Sequence, residues 1–226
     1  MAILLASLAP VFIILFYIYF RDKYEKEPLG MLVKALLLGI FIVIPVIFVE
    51  RVLMNLMPQS SKVVEAAYHA FVVAASTEEL FKFLALYLLV WKSPNFNEKF
   101  DGIVYAVFVS LGFAGVENVL YVMDGGMQTA LTRAITAVPA HAIFGITMGY
   151  YLGIARMYQE LKSKYLIRAL LVPILLHGIY DFILMVEVSW LLLLFVPFLI
   201  VLYITGIKKM KVLSDTSIFN PMEEED

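Results

Sequence analysis

Cysteine is absent from the 226 residues, which rules out a disulfide, a thiol nucleophile and any cysteine-ligated metal. Charge is scarce: Asp, Glu, Lys and Arg make up 16% of the chain, with 17 basic against 19 acidic residues and a formal net charge of −2. Nucleic acid is held by a concentrated basic surface, and none is present, so no nucleic-acid partner is expected. HExxH, GxSxG and a glycine-rich phosphate loop are missing, and no cofactor box stands in their place, so no cofactor is expected. What fills the chain is apolar, 62% hydrophobic residues with a mean hydropathy of +0.90, more than a soluble domain can hide. The sequence describes an all-α polytopic membrane bundle whose first partner is the lipid bilayer.

A bilayer core takes about 20 apolar residues per helix. Windows of that length give seven spans, roughly Ala2 to Phe20, Leu29 to Glu50, Val63 to Trp91, Asp101 to Met123, Thr129 to Tyr158, Ala169 to Met185 and Val188 to Gly206. Between them lie a charged turn from Arg21 to Pro28, the breakers Ser93-Pro94-Asn95 and Asp124-Gly125-Gly126, and a polar, basic stretch from Gln159 to Arg168. With the N-terminus outside, the inner segments collect Arg21, Lys23, Lys26, Lys92, Lys99, Arg156, Lys162, Lys164, Arg168, Lys208, Lys209 and Lys211, and the outer loops hold only Arg51 and Lys62. That asymmetry predicts an N-out, C-in topology. The first span is expected to be a retained anchor. Residues 1–206 form one transmembrane domain, and 207–226 a cytoplasmic tail, basic and then acidic from Met222 to Asp226.

Ionisable groups inside apolar spans are expensive and mark sites. Glu78 and Lys82 are four residues apart and Glu79 and Lys82 three, so on a helix the lysine reaches either carboxylate and leaves the other free to act as a base. Phe113, Gly115, Glu117 and Asn118 form a second cluster, with Gly112 and Gly115 open to a neighbouring helix. His177 and Asp181 share one helical face, where the carboxylate can fix the imidazole tautomer. His141 follows Pro139, which is expected to kink its helix, and is ranked as a supporting residue. At 1.5 Å per residue, Glu117 lies roughly 9 Å and Asp181 roughly 6 Å below the outer ends of their spans, with Glu78, Glu79, His141 and His177 deeper, so a funnel open to the outer face would wet them all. The remaining charges read as loop and helix-end residues: Glu50 and Arg51 at the end of the second span, Arg133 snorkelling outward, Asp101 as an N-cap, Glu187 in an outer turn, and His69 as an interfacial polar group.

A carboxylate-and-histidine constellation suits water activation by a glutamate, with neighbouring polar groups stabilising an oxyanion, and hence amide hydrolysis. The same residues could hold zinc or another divalent ion, serve as a proton or cation relay in a transporter, or form the structural core of a sensor. Internal repeats, common in transporters, are absent.

Glu78-Glu79-x-x-Lys82, Phe113-x-x-x-Glu117 within the run from Asp101-Gly102-Ile103-Val104-Tyr105 to Tyr121, the His141 segment ending Met148-Gly149-Tyr150-Tyr151-Leu152-Gly153, and His177-x-x-x-Asp181 together resemble the PrsW family of intramembrane proteases, itself similar to the CAAX-prenyl-endopeptidase and bacteriocin-processing superfamily. The resemblance spans nearly the whole chain. It implies a bacterial membrane endopeptidase making the first, extracytoplasmic cut in a single-pass anti-sigma factor, in response to envelope stress. It also implies roles: Glu78 activating water, Glu79 paired with Lys82, His177 and Asp181 forming the oxyanion site. Glu117 stands where the superfamily has histidine, and Lys82 where it has an arginine one residue further on. The choice between Glu78 and Glu79 as base, and between proton sharing and metal holding for Glu117, therefore stays open.

Overall fold

The computed structural model describes residues 2–220; the acidic stretch Met222–Asp226 lies outside them. The elements are all helical: α1 (Ala2–Arg21), α2 (Leu29–Asn55), α3 (Lys62–Ala67), a π-helical stretch (Tyr68–Ala75), α4 (Ser76–Val90), α5 (Lys99–Ile135), α6 (Ala137–Met157), a 3₁₀ turn (Gln159–Leu161), α7 (Lys162–Met185) and α8 (Ser189–Asp215). Five helical stretches are long and apolar enough to cross a membrane, α5 and α6 counting as one. Large apolar side chains such as Leu88, Leu193 and Ile44 stand out from the bundle, where lipid replaces water.

The middle of the bundle is α5 and α6. A helix hydrophobic all round is a buried one, and every residue of α5 from Phe100 to Gly115 is buried. Helix association in lipid depends on close packing at small residues. A Cβ on Gly149 of α6 would collide with the Gly102 carbonyl of α5, and one on Gly112 of α5 with the Leu36 carbonyl of α2. Gly149→Val should therefore cost about 1–3 kcal/mol, read as a lower thermal midpoint in micelles; an unchanged midpoint would mean that the two backbones can separate freely.

The ends of the bundle are tied separately. At the basic end, Arg21 pairs with Asp215 at 2.5 Å, the Ser217 hydroxyl donates to Glu98 at 2.6 Å, and Asn97 Nδ2 donates to Glu25 at 3.1 Å. At the other end, the Tyr68 hydroxyl donates to the Leu53 carbonyl at 3.2 Å, and Lys62 and Glu187 pair loosely at 3.8 Å.

Several boundaries differ from expectation. The N-cap of α5 is Glu98, not Asp101, which sits three residues into the helix as the return half of a capping box. Helix α7 starts at Lys162, and α8 runs on to Asp215 through Lys208, Lys209 and Lys211. Pro139 lies in the first turn of α6, where its missing N–H costs no hydrogen bond, so it introduces no kink. The break at Asp124-Gly125-Gly126 narrows to one residue, Gly126, at φ 72° and ψ −161°, a backbone region open to glycine.

Candidate active site

A cavity of about 770 Å³ opens at the end of the bundle away from the basic loops, between the last turns of α2, the π-helical stretch, both arms of α5, the start of α6 and the end of α7. Its wall carries Glu50, His69, Glu78, Glu117, Arg133, His141, His177 and Asp181, among apolar residues such as Phe113 and Phe144.

The floor is built around one ammonium. Lys82 Nζ donates to Glu78 Oε2 at 3.0 Å and to Glu79 Oε1 at 2.8 Å, and lies 3.2 Å from His141 Nδ1. An ammonium can only donate, so Nδ1 of His141 is an acceptor. The ring proton is then on Nε2, which donates to Glu117 Oε2 at 2.9 Å. All three Lys82 hydrogens are directed in this way, and the Phe113 ring covers the ammonium at 4.3 Å. Glu79 Oε1 also faces His177 Nδ1 at 3.0 Å, and the other ring nitrogen of His177 lies 3.3 Å from Asp181 Oδ2. Phe144 stacks on the His177 ring with centroids 4.9 Å apart, so ring and carboxylates hold one orientation.

The two glutamates are not equivalent. Glu79 is fully buried and does not reach the cavity wall, its one engaged oxygen tied to Lys82 and His177. Glu78 is 5% exposed and lines the cavity. One of its oxygens is fixed by Lys82, and among the described residues the other accepts no hydrogen bond.

Glu78, Glu79, Lys82, Glu117, His141, His177 and Asp181 thus form one connected set. Arg133, assigned to a helix end, joins it, and Glu50 shares the cavity wall. Arg133 does not snorkel outward: its Nη2 meets Glu117 Oε2 at 2.9 Å and its Nε donates to Asn118 Oδ1 at 2.7 Å. In a straight helix, residues 16 apart would be separated by roughly 24 Å, so the reversal at Gly126 is what brings them together. Asn118 in turn donates to the Ser7 carbonyl of α1 at 2.7 Å. Glu50, rather than closing a helix, lines the cavity because α2 continues to Asn55. The signal for both was already present, since each is an ionisable group in or beside an apolar run. His69 also lines the wall.

Glu78, Glu79, His141 and His177 each offer a donor atom within 4.8 Å of the others, a grouping that could address a metal ion.

Residues 27–205 match the family model described as PrsW family intramembrane metalloprotease. Protease PrsW of Oceanobacillus iheyensis is 39% identical over 220 residues, covering 97% of this chain and 100% of that protein. Protease PrsW of Bacillus subtilis is 38% identical over 212 residues, covering 93% and 94%, and that of Clostridioides difficile 38% over 215 residues, covering 92% and 89%. No solved structure matches the chain. With a family match over most of its length and apolar helices to carry it through a bilayer, this chain belongs to the PrsW family of intramembrane proteases and is a multi-pass bacterial membrane hydrolase.

Proposed function

We propose that the protein is a glutamate-dependent endopeptidase that cuts a single-pass membrane anti-sigma factor on its extracytoplasmic side. The observation that carries the reading is the inequality of Glu78 and Glu79, since of the two it is Glu78 that presents an unengaged oxygen to the cavity. Glu78 takes a proton from a water molecule as the hydroxide attacks the scissile carbonyl carbon. His177, held at Nδ1 by Glu79, turns its Nε2–H from Asp181, 3.3 Å away, to the oxygen that becomes negative. On collapse the amide C–N bond breaks, and the proton held by Glu78 passes to the leaving nitrogen. Glu79 and Lys82 position the pair, and Glu117, held by Arg133 and His141, completes the wall. The N-out topology would turn the cavity mouth to the outer face, where an unwound substrate segment enters. The anti-sigma factor and the first-cut role come with the family resemblance.

The family description names a metalloprotease, and the donor grouping invites a test of fit. Lys82 Nζ stands 2.8 to 3.2 Å from donor atoms on three of the four residues. A divalent ion at metal-ligand distances of about 2.0–2.2 Å would be set beside that positive charge and would take the acceptors that satisfy it. The residues as arranged do not fit a metal, and no step is routed through one. Purified protein in liposomes should cut a tagged single-pass anti-sigma factor from the same genome on the outer side, equally with and without chelator. Activity lost to chelator and restored by zinc would overturn the glutamate mechanism. A well-folded protein that cuts no candidate would overturn the substrate assignment.

A further inference from the structure

At the basic end, opposite the cavity, three carboxylates converge that the proteolytic reading does not use. Glu25 and Glu27 come from the α1–α2 loop and Asp101 from the first turn of α5, and they place one oxygen apiece within 4.8 Å of each other. Their own hydrogen bonds leave half of each group unaccounted for. Glu25 Oε1 accepts from Asn97 Nδ2, Glu27 Oε2 from the Tyr105 hydroxyl, and Asp101 Oδ2 from the N–H groups of Asn97 and Glu98. Glu25 Oε2, Glu27 Oε1 and Asp101 Oδ1 are buried without any donor. Glu27 is 3% exposed and Asp101 fully buried.

Glu27 and Asp101 lie within hydrogen-bonding reach of each other, where one proton would offset only part of this charge. Among the described residues no lysine or arginine forms an ion pair with any of the three. Lys26, adjacent to two of them in sequence, gives its ammonium to the carbonyls of Tyr19 and Asp22 and lies over the Tyr19 ring. Buried charges are ordinarily paired or bound to a metal. Only oxygen ligands are offered, which selects a hard divalent cation over zinc or copper. The spacing agrees, since oxygens at about 2.3–2.6 Å on opposite sides of a calcium ion lie roughly 5 Å apart.

We propose that Glu25, Glu27 and Asp101 bind a hard divalent cation that fastens the α1–α2 loop to the start of α5. The ion bridges a loop and the bundle's central helix, so its effect is on stability rather than on the cavity.

The full chain, purified in micelles and stripped with chelator, is melted with and without added CaCl₂, MgCl₂ or MnCl₂. Saturating calcium should raise the thermal midpoint of the wild type and of Glu78→Gln by about 5 °C or more, and should raise that of Glu27→Gln far less. Tyrosine-sensitised terbium emission, displaced by calcium, should be strong in the wild type and lost in Glu27→Gln. Should Glu27→Gln fail to fold, Glu25→Gln, at the half-buried member of the three, should lower the apparent calcium affinity at least tenfold. A wild-type midpoint that no cation moves overturns the proposal, as does a calcium shift in Glu25→Gln and Glu27→Gln as large as in the wild type. Stabilisation by acid alone, with no cation effect, overturns it in favour of a proton shared by Glu27 and Asp101.

Discussion

Glu78→Gln should lower cleavage by about 10²–10⁴-fold, the range over which a positioned general base acts, while the thermal midpoint stays within about 2 °C of the wild type. Glutamine keeps the length and planarity of the side chain and an oxygen to accept from Lys82, now 3.0 Å from Glu78 Oε2, but it cannot take a proton from water. Glu79→Gln separates the roles. Glu79 is sealed behind the wall and joins Lys82 to His177 through a single oxygen, so losing its charge should lower stability and activity together. The two variants are compared by cleavage of a tagged membrane substrate and by thermal melts of the same preparations. A well-folded, inactive Glu79→Gln beside an active Glu78→Gln would exchange the assignments.

Lys82→Met should cost about 3–5 kcal/mol, the usual penalty for leaving buried charges without a partner, or roughly 10 °C or more in midpoint for a chain of this size. The methionine fills the space beneath Phe113, but two carboxylates and the His141 acceptor lose the donor that now reaches them at 2.8 to 3.2 Å. Adding Glu79→Gln to Lys82→Met should recover at least half of the loss, because it removes one of the stranded charges; the non-additivity measures the pair directly. A Lys82→Met protein as stable as the wild type would mean that the two glutamates already share a proton and need no ammonium.

Much of this was legible in the residues, for a simple reason. Ionisable groups that survive in apolar spans have partners, so Glu78, Glu79, Lys82, Glu117, His141, His177 and Asp181 could be singled out without knowing which helices meet. What failed was the treatment of charges near helix ends. The sequence alone reads Arg133 as snorkelling outward and Glu50 as ending a helix, because a charged side chain close to water is usually solvated. The reversal at Gly126 and the extra length of α2 turn them inward instead. The carboxylates near Pro28 read from the sequence as part of a charged turn, and their burial depends on contacts with α5 that no local pattern encodes. Hydropathy windows measure the bilayer rather than the helix, which is why α7 begins at Lys162 and not at Ala169. The π-helical stretch has no compositional signature at all, being written in ordinary alanine, valine and aromatic residues.

That stretch has a consequence for how the chain can change. An α-helix advances about 100° per residue, whereas a π turn takes in an extra residue, so the helical phase after Ala75 lags the phase before Tyr68. With that lag, His69 and Val73 within the stretch and Glu78 beyond it face the same cavity. Glu78 is therefore indexed to its own wall by a count of residues. Substitutions along Tyr68–Ala75 leave the index alone, but deletion of any single residue there would swing Glu78 about the helix axis without touching a side chain that contacts it.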